Sequence, residues 1–215
     1  MTYKAIIFDL DGTLVNSIED IGDAMNIVLE RYKYPTHHYK AYETFVGSGI
    51  RSLVVNALPE AQRDQAQIDT CFEAMMAIYS QQCTVKTKPY DGIVALLDQL
   101  KTQPIKLSVL SNKADELTKK VVLALFPGYF NPILGLKIEA HKKPNPHVAL
   151  ELCKTLQVLP EETIYVGDTA IDMQTANNAN MLAVGVLWGF RDKKELIEGG
   201  AKHILNHPLD LIDIL

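Results

Sequence analysis

A nearly continuous apolar run from Ala5 to Leu10 breaks at Asp9-Leu10-Asp11-Gly12. Such a run, ended by a glycine turn, predicts a strand covered on both faces. The rhythm then changes. Apolar residues recur at helical spacing, at Ile18, Ile21, Met25, Val28 and Leu29, and again at Leu53, Val54, Ala57 and Leu58. Breaks fall at Pro35-Thr36-His37-His38, Gly47-Ser48-Gly49 and Pro59. This pattern predicts a mostly helical insertion over residues 16–85.

From Lys88-Pro89-Tyr90 the pattern alternates. Helices are expected over Ile93–Leu100, Ala114–Leu125, Pro146–Leu156 and Ile171–Ala179, with Pro146 in a first turn. Strands are expected over Ile105–Leu110, Thr163–Val166 and Leu182–Val186, and short closing helices over Lys193–Ile197 and Pro208–Leu215. The alternation predicts an α/β fold: a doubly wound, Rossmann-like parallel sheet built from residues 1–15 and 86–215, with the helical insertion between them.

Composition narrows the function classes. The 215 residues are 47% hydrophobic and 22% charged, with a formal net charge of -5. That balance gives a globular core, and the absence of a dense basic block argues against nucleic acid as a partner. Cys71, Cys83 and Cys153 show neither paired nor zinc-type spacing, which fits a reducing cytoplasm. No apolar run is long enough to span a bilayer, and the start of the chain does not read as a signal peptide. A monomer or weak homodimer is expected.

The candidate chemistry gathers where strands end: Asp9 and Asp11 after the first, Ser111 and Asn112 after the Ile105–Leu110 strand, Asp168 after the Thr163–Val166 strand, and Asp172 one helical turn later. Ligands of open α/β sheets bind at the carboxyl ends of strands, so these groups converge on one crevice. Lys143 enters it from a loop that Pro144 keeps non-helical. Residues two apart in extended chain share a side, so Asp9 and Asp11 address one ligand. Gly12 permits a positive-φ turn, and Thr13 adds a hydroxyl and peptide N–H groups for phosphate oxygens. Two carboxylates 4 Å apart repel by about 4 kcal/mol at an effective dielectric near 20. Asp9, Asp11, Asp168 and Asp172 therefore need a cation, and an all-oxygen set favours Mg²⁺ over zinc.

Asp9-Leu10-Asp11-Gly12-Thr13-Leu14-Val15 resembles the first motif of the haloacid dehalogenase superfamily. Ser111-Asn112 is similar to the second motif, Lys143-Pro144 to the third, and Gly167-Asp168-Thr169-Ala170-Ile171-Asp172 to the fourth, in order over essentially the whole chain. The helical insertion resembles the small α-helical cap subclass. Phe45-Val46-Gly47-Ser48-Gly49-Ile50-Arg51 and Leu187-Trp188-Gly189-Phe190-Arg191 resemble phosphoglycolate-phosphatase-type members. Asn180 stands where that group often has Gly, and Asn tolerates a left-handed helix end.

The resemblance implies a Mg²⁺-dependent phosphatase acting on a small phosphorylated metabolite. Asp9 is the implied nucleophile and Asp11 the general acid and base. Ser111 and the Asn112 backbone hold phosphoryl oxygens, and Lys143 stabilises their charge. The metal is held by Asp9, the Asp11 carbonyl and Asp168, with Asp172 orienting Lys143 or metal-bound water. Gly12, Thr13, Asn112 and Arg51 complete the substrate contacts, Arg51 as a fork for a substrate carboxylate. Simpler readings stand beside these. Ser111-Asn112 also fits a helix N-cap, Asp172 a helix-dipole residue, Arg51 a surface arginine, and Trp188 packing. His37, His38, His141, His203 and His207 show no ligand spacing. Alternative functions are a phosphosugar mutase with the same four motifs and a non-catalytic phosphate-binding regulator.

Overall fold

The computed structural model describes residues 3–215. Within them the chain forms two compact units, one from residues up to 16 and from 89 to 215, the other from 17 to 88. The expected crossings after residues 15 and 85 thus fall after 16 and 88.

In the first unit, six parallel strands form one sheet in the order β5-β4-β1-β6-β7-β8. They are β1 (Ala5–Phe8), β4 (Lys106–Ala114), β5 (Ile133–Leu136), β6 (Thr163–Gly167), β7 (Leu182–Val186) and β8 (His203–Leu205). A short separate pair joins β2 (Val15–Asn16) to β3 (Lys88–Pro89). The helices of this unit are α5 (Ile93–Lys101), α6 (Asp115–Leu125), α7 (His147–Leu156), α8 (Ala170–Asn178) and α9 (Lys193–Glu198).

β1 is fully buried because both faces of the sheet are covered. Ile7 packs in one cluster with Leu152 and Cys153 of α7, Met173 of α8 and Leu196 of α9. Phe8, pointing the other way, meets Phe130 edge-on at 6.0 Å, and Phe130 meets Phe126 at the end of α6. The helices follow from their periodicity. α5 buries Ile93, Leu96, Leu97 and Leu100, and α7 buries Ala149, Leu152, Cys153 and Leu156, each an i, i+3, i+4, i+7 stripe. Burying one such aliphatic side chain stabilises by about 1.5–3 kcal/mol.

The sheet differs from expectation at three places. β5 and β8 were not foreseen; β5 is four residues with Gly135 in its middle, and β8 is three. β4 runs on past Leu110 to Ala114, with a register shift against β5. Ser111 and Asn112 are therefore strand residues and not a helix cap; the N-cap of α6 is Ala114, without a side-chain bond. Asn180 does adopt the left-handed conformation, at φ 57°.

The second unit is helical: α1 (Ile18–Arg31), α2 (Tyr39–Phe45), α3 (Gly49–Ala57) and α4 (Gln65–Gln82). α1 buries Ile18, Ile21, Met25, Val28 and Leu29, the residues whose spacing marked it. Asp64 caps α4 by accepting from Gln67 N–H at 3.0 Å. Within this unit the carboxylate of Asp20, on the first turn of α1, accepts from the N–H groups of Lys86 and Thr87 and from the Thr87 hydroxyl. Cys71, Cys83 and Cys153 are all buried and free. Among the described residues no helix is long and apolar enough to cross a membrane.

Candidate functional site

Parallel register assembles the site. β1 lies between β4 and β6, with Phe8 level with Val109 on one side and Val166 on the other. The residues just past these positions therefore emerge side by side: Asp9, then Ser111 and Asn112, then Asp168. The Asp9 N–H still donates to Val166 O at 2.9 Å, which continues the ladder into the site.

Asp9, Asp168 and Asp172 form one buried acidic group, each offering a carboxylate oxygen within 4.8 Å of the others. Lys143 closes it. The Lys143 ammonium lies 2.9 Å from Asp9 Oδ1 and 2.7 Å from Asp172 Oδ1, and it donates to Leu110 O at 3.3 Å. It also sits 5.7 Å from the centre of the Tyr165 ring, whose hydroxyl donates to the same Leu110 carbonyl. Asn112 fixes the lysine from behind. Its Oδ1 accepts from Lys143 N–H at 2.9 Å, and its Nδ2 donates to Lys143 O at 3.3 Å.

Electrostatics follow from burial. Desolvation pushes the Asp9 carboxyl up to about 7, against the pull of Lys143 and with the push of Asp172. Asp168 is likewise raised by desolvation and by the charges of Asp172 and Asp9. Burial alone would lower Lys143, but the Asp172 and Asp9 carboxylates outweigh it and hold its ammonium well above the usual range. Asp9 Oδ1 has Lys143 as a charge partner yet no aligned hydrogen bond. Three buried carboxylates that repel one another, with a single ammonium beside them, fit a hard divalent cation. The cluster contains no His or Cys, so the set suits oxygen-seeking ions and not zinc.

The neighbouring residues pack onto this group. Gly12 has φ 86°, and a Cβ there would collide with the Asp168 carboxylate; the same holds at Gly189. Only glycine lets both backbones approach so closely. The Thr13 hydroxyl donates to Asp168 Oδ1 at 3.1 Å, and Phe190 N–H donates to Asp168 Oδ2 at 2.9 Å. The N–H groups of Gly12 and Thr13 donate inside the turn, to Val15 O at 2.9 Å and to Leu10 O at 3.3 Å. Trp188 packs with its indole N–H donated to Thr13 O at 2.9 Å. Asp172 is more than a dipole residue: its Oδ2 accepts from Thr169 N–H and hydroxyl, leaving Oδ1 aimed at Lys143.

Asp11 stands apart from the acidic group. Its carboxylate pairs with Lys113, at 2.8 and 2.9 Å from the two oxygens. Nothing in the sequence marks Lys113, because the apolar run ends at Leu110 while β4 continues to Ala114. Extended two residues beyond Ser111, the strand places Lys113 on the side that Ser111 faces. Tyr165 and the side chain of Asn112 were missed for a related reason: neither carries a charge that marks it. Arg51 lies on α3 in the helical unit, ion-paired to Asp69, 5.6 Å from the Phe72 ring centre and 41% exposed.

Comparison with known proteins adds a family. A model described as haloacid dehalogenase-like hydrolase matches residues 6–186. A phosphoglycolate phosphatase of Aquifex aeolicus is 32% identical over 213 residues, covering 99% of this chain and 96% of that protein. The N-acetylmuramic acid 6-phosphate phosphatase of Pseudomonas aeruginosa is 26% identical over 100% of this chain and 96% of its own. Among solved structures, a phosphoglycolate phosphatase-like protein of Lactobacillus delbrueckii subsp. bulgaricus superposes with a TM-score of 0.92 at 32% identity, covering 100% of this chain and 98% of that one.

Proposed function

The chain belongs to the haloacid dehalogenase-like hydrolase family, and from that premise we propose that it is a Mg²⁺-dependent phosphatase that cleaves small phosphate monoesters of the phosphoglycolate type through an aspartyl-phosphate on Asp9. It is a phosphoric monoester hydrolase. The observation that carries the rest is the buried Asp9 carboxylate, its Oδ1 2.9 Å from the Lys143 ammonium, grouped with Asp168 and Asp172.

In this reading an Asp9 carboxylate oxygen attacks phosphorus while the bond to the leaving oxygen breaks. Asp11 hands its proton to that oxygen, and the alcohol departs. Asp11, now a carboxylate, takes a proton from water. The hydroxide so formed attacks phosphorus, the Asp9–phosphorus bond breaks, and inorganic phosphate leaves. Lys143 and the Ser111 hydroxyl stabilise the equatorial oxygens, joined by the Asn112 backbone. Asp9, Asp168 and the Asp11 carbonyl would hold Mg²⁺, whose chemistry is to neutralise the transferring group. Asp172 keeps Lys143 aimed. Arg51 is the proposed contact for a substrate carboxylate, in competition with Asp69. A cytoplasmic setting suits the three free cysteines.

The test is a panel of phosphorylated metabolites, with and without Mg²⁺, scored for free phosphate and for isomerised product. Phosphate release from phosphoglycolate that depends on Mg²⁺ is the expected outcome. Isomerised product without net phosphate would make the protein a mutase, and binding without turnover would make it a regulator.

A further inference from the structure

Lys113 is a buried charge outside the Asp9–Asp168–Asp172 cluster. Its side chain is 1% exposed, and that of Asp11 is 11% exposed. An ammonium so far from solvent is unfavourable unless it is paired. It finds the carboxylate of Asp11, with its nitrogen 2.8 Å from one oxygen and 2.9 Å from the other. Contact with both oxygens at once fixes the direction of the Asp11 side chain, where a one-oxygen contact would leave the carboxylate free to turn.

The base of this lysine is equally fixed. Its N–H donates to Ser111 Oγ at 3.2 Å, and its carbonyl accepts from Thr118 Oγ1 at 3.1 Å. Both bonds lie on the stretch where β4 runs on to Ala114. The Asp11 backbone is tied by its bridge to Val15. Two anchored backbones thus present one buried pair. Asp11 can act from within the pair: a carboxyl group offers roughly four lone-pair positions, Lys113 faces two of them, and one of the others carries the proton that is exchanged.

We propose that Lys113 is a positioning residue for the acid–base step: it holds the Asp11 carboxylate in the direction from which a proton is exchanged with the leaving oxygen and with water. This inference rests on the acid–base role given to Asp11 above. A misplacement of a reacting group by about 1 Å costs on the order of 10²-fold in rate, so loss of the ammonium should be visible wherever protonation of the leaving group matters.

The experiment compares kcat/KM, which reports events up to departure of the leaving group, on an alkyl monoester (phosphoglycolate) and on 4-nitrophenyl phosphate. For Lys113→Met we expect a loss of roughly 10²-fold on the alkyl ester and of less than about threefold on the aryl ester. Lys113→Arg should recover part of the alkyl-ester rate. In the Asp11→Asn background Lys113→Met should add no further loss. If Lys113→Met does not fold, by circular dichroism and thermal melting, Lys113→Gln carries the same comparison. Equal losses on the two esters, or a full additional loss in the Asp11→Asn background, would overturn the inference. Asp11→Asn alone separates the two levels. If it lacks the leaving-group dependence, the acid–base reading itself falls; if it shows the dependence and Lys113→Met does not, only the role of Lys113 falls.

Discussion

Asp172 and Lys143 form an ion pair 2.7 Å apart, with side chains 0% and 3% exposed. Because Asp172 also caps α8 through Thr169, one carboxylate ties a helix start to the lysine that faces Asp9. Asp172→Asn keeps a cap acceptor but loses the charge. Its turnover should fall by about 10- to 100-fold with a modest change in stability. Asp172→Ala leaves Lys143 short of a partner and should cost about 3–5 kcal/mol of unfolding free energy as well. Urea denaturation and phosphate release check the pair of variants; wild-type turnover in Asp172→Asn would refute the orienting role.

Asp9 and Asp11 should separate kinetically. Asp9→Asn removes the nucleophile, so no phosphoenzyme should be trapped, provided mass spectrometry excludes deamidation. Asp11→Asn should slow alkyl esters by roughly 10²–10⁴-fold and aryl esters much less, because a good leaving group needs little protonation. Phosphate trapped on a residue other than Asp9 would sink the mechanism.

The pH dependence has a definite sign. Burial raises the Asp9 carboxyl from 3.8 to about 7. Between those values the metal-free native state keeps a proton that the unfolded chain has released. Stability in excess chelator should therefore fall as pH rises through this window, the raised Asp168 acting in the same direction. Mg²⁺ binding needs both carboxylates ionised, so the increase in melting temperature on adding Mg²⁺ should be larger at pH 8 than at pH 5. Thermal melts at the two pH values decide it: an equal increase at both would show that these carboxylates do not bind the ion. Chelation should abolish turnover, and Mg²⁺ should restore it.

Arg51 can be tested by comparing substrates. Its guanidinium already has Asp69 and the Phe72 ring. As a substrate contact, Arg51→Ala should lower kcat/KM on carboxylate-bearing substrates by roughly 1.5–3 kcal/mol in transition-state terms, while an aryl phosphate is nearly untouched. Loss on neither substrate would leave Arg51 a surface residue of the helical unit.

The sequence was most informative where physics acts locally. The apolar stripes of α1, α5 and α7 and the buried run of β1 announce themselves by period, and the polar groups at strand ends follow from the parallel topology. What stayed hidden depends on pairing between distant segments. β5 is short and holds Gly135, so nothing in its composition marks a strand. It exists because β4 offers it an edge and because Gly135 N–H donates to Asp115 Oδ1 at 3.0 Å. The length of β4 is hidden likewise, since Ser111-Asn112-Lys113 reads as polar loop until its neighbours are known. With that length misjudged, the Lys113–Asp11 pair was out of sight, as was the use of Asn112 to grip the peptide of Lys143.

The place of β1 between β4 and β6 has a consequence for how the molecule breathes. Its amides bond to strands on both sides and are sealed by both faces of the sheet, so they should be among the last in the protein to exchange with deuterium. Edge strands such as β8 can open and close without disturbing Asp9. Asp9, the proposed nucleophile, thus follows a segment expected to be among the slowest to exchange, and its alignment with Lys143 should persist through partial openings short of global unfolding.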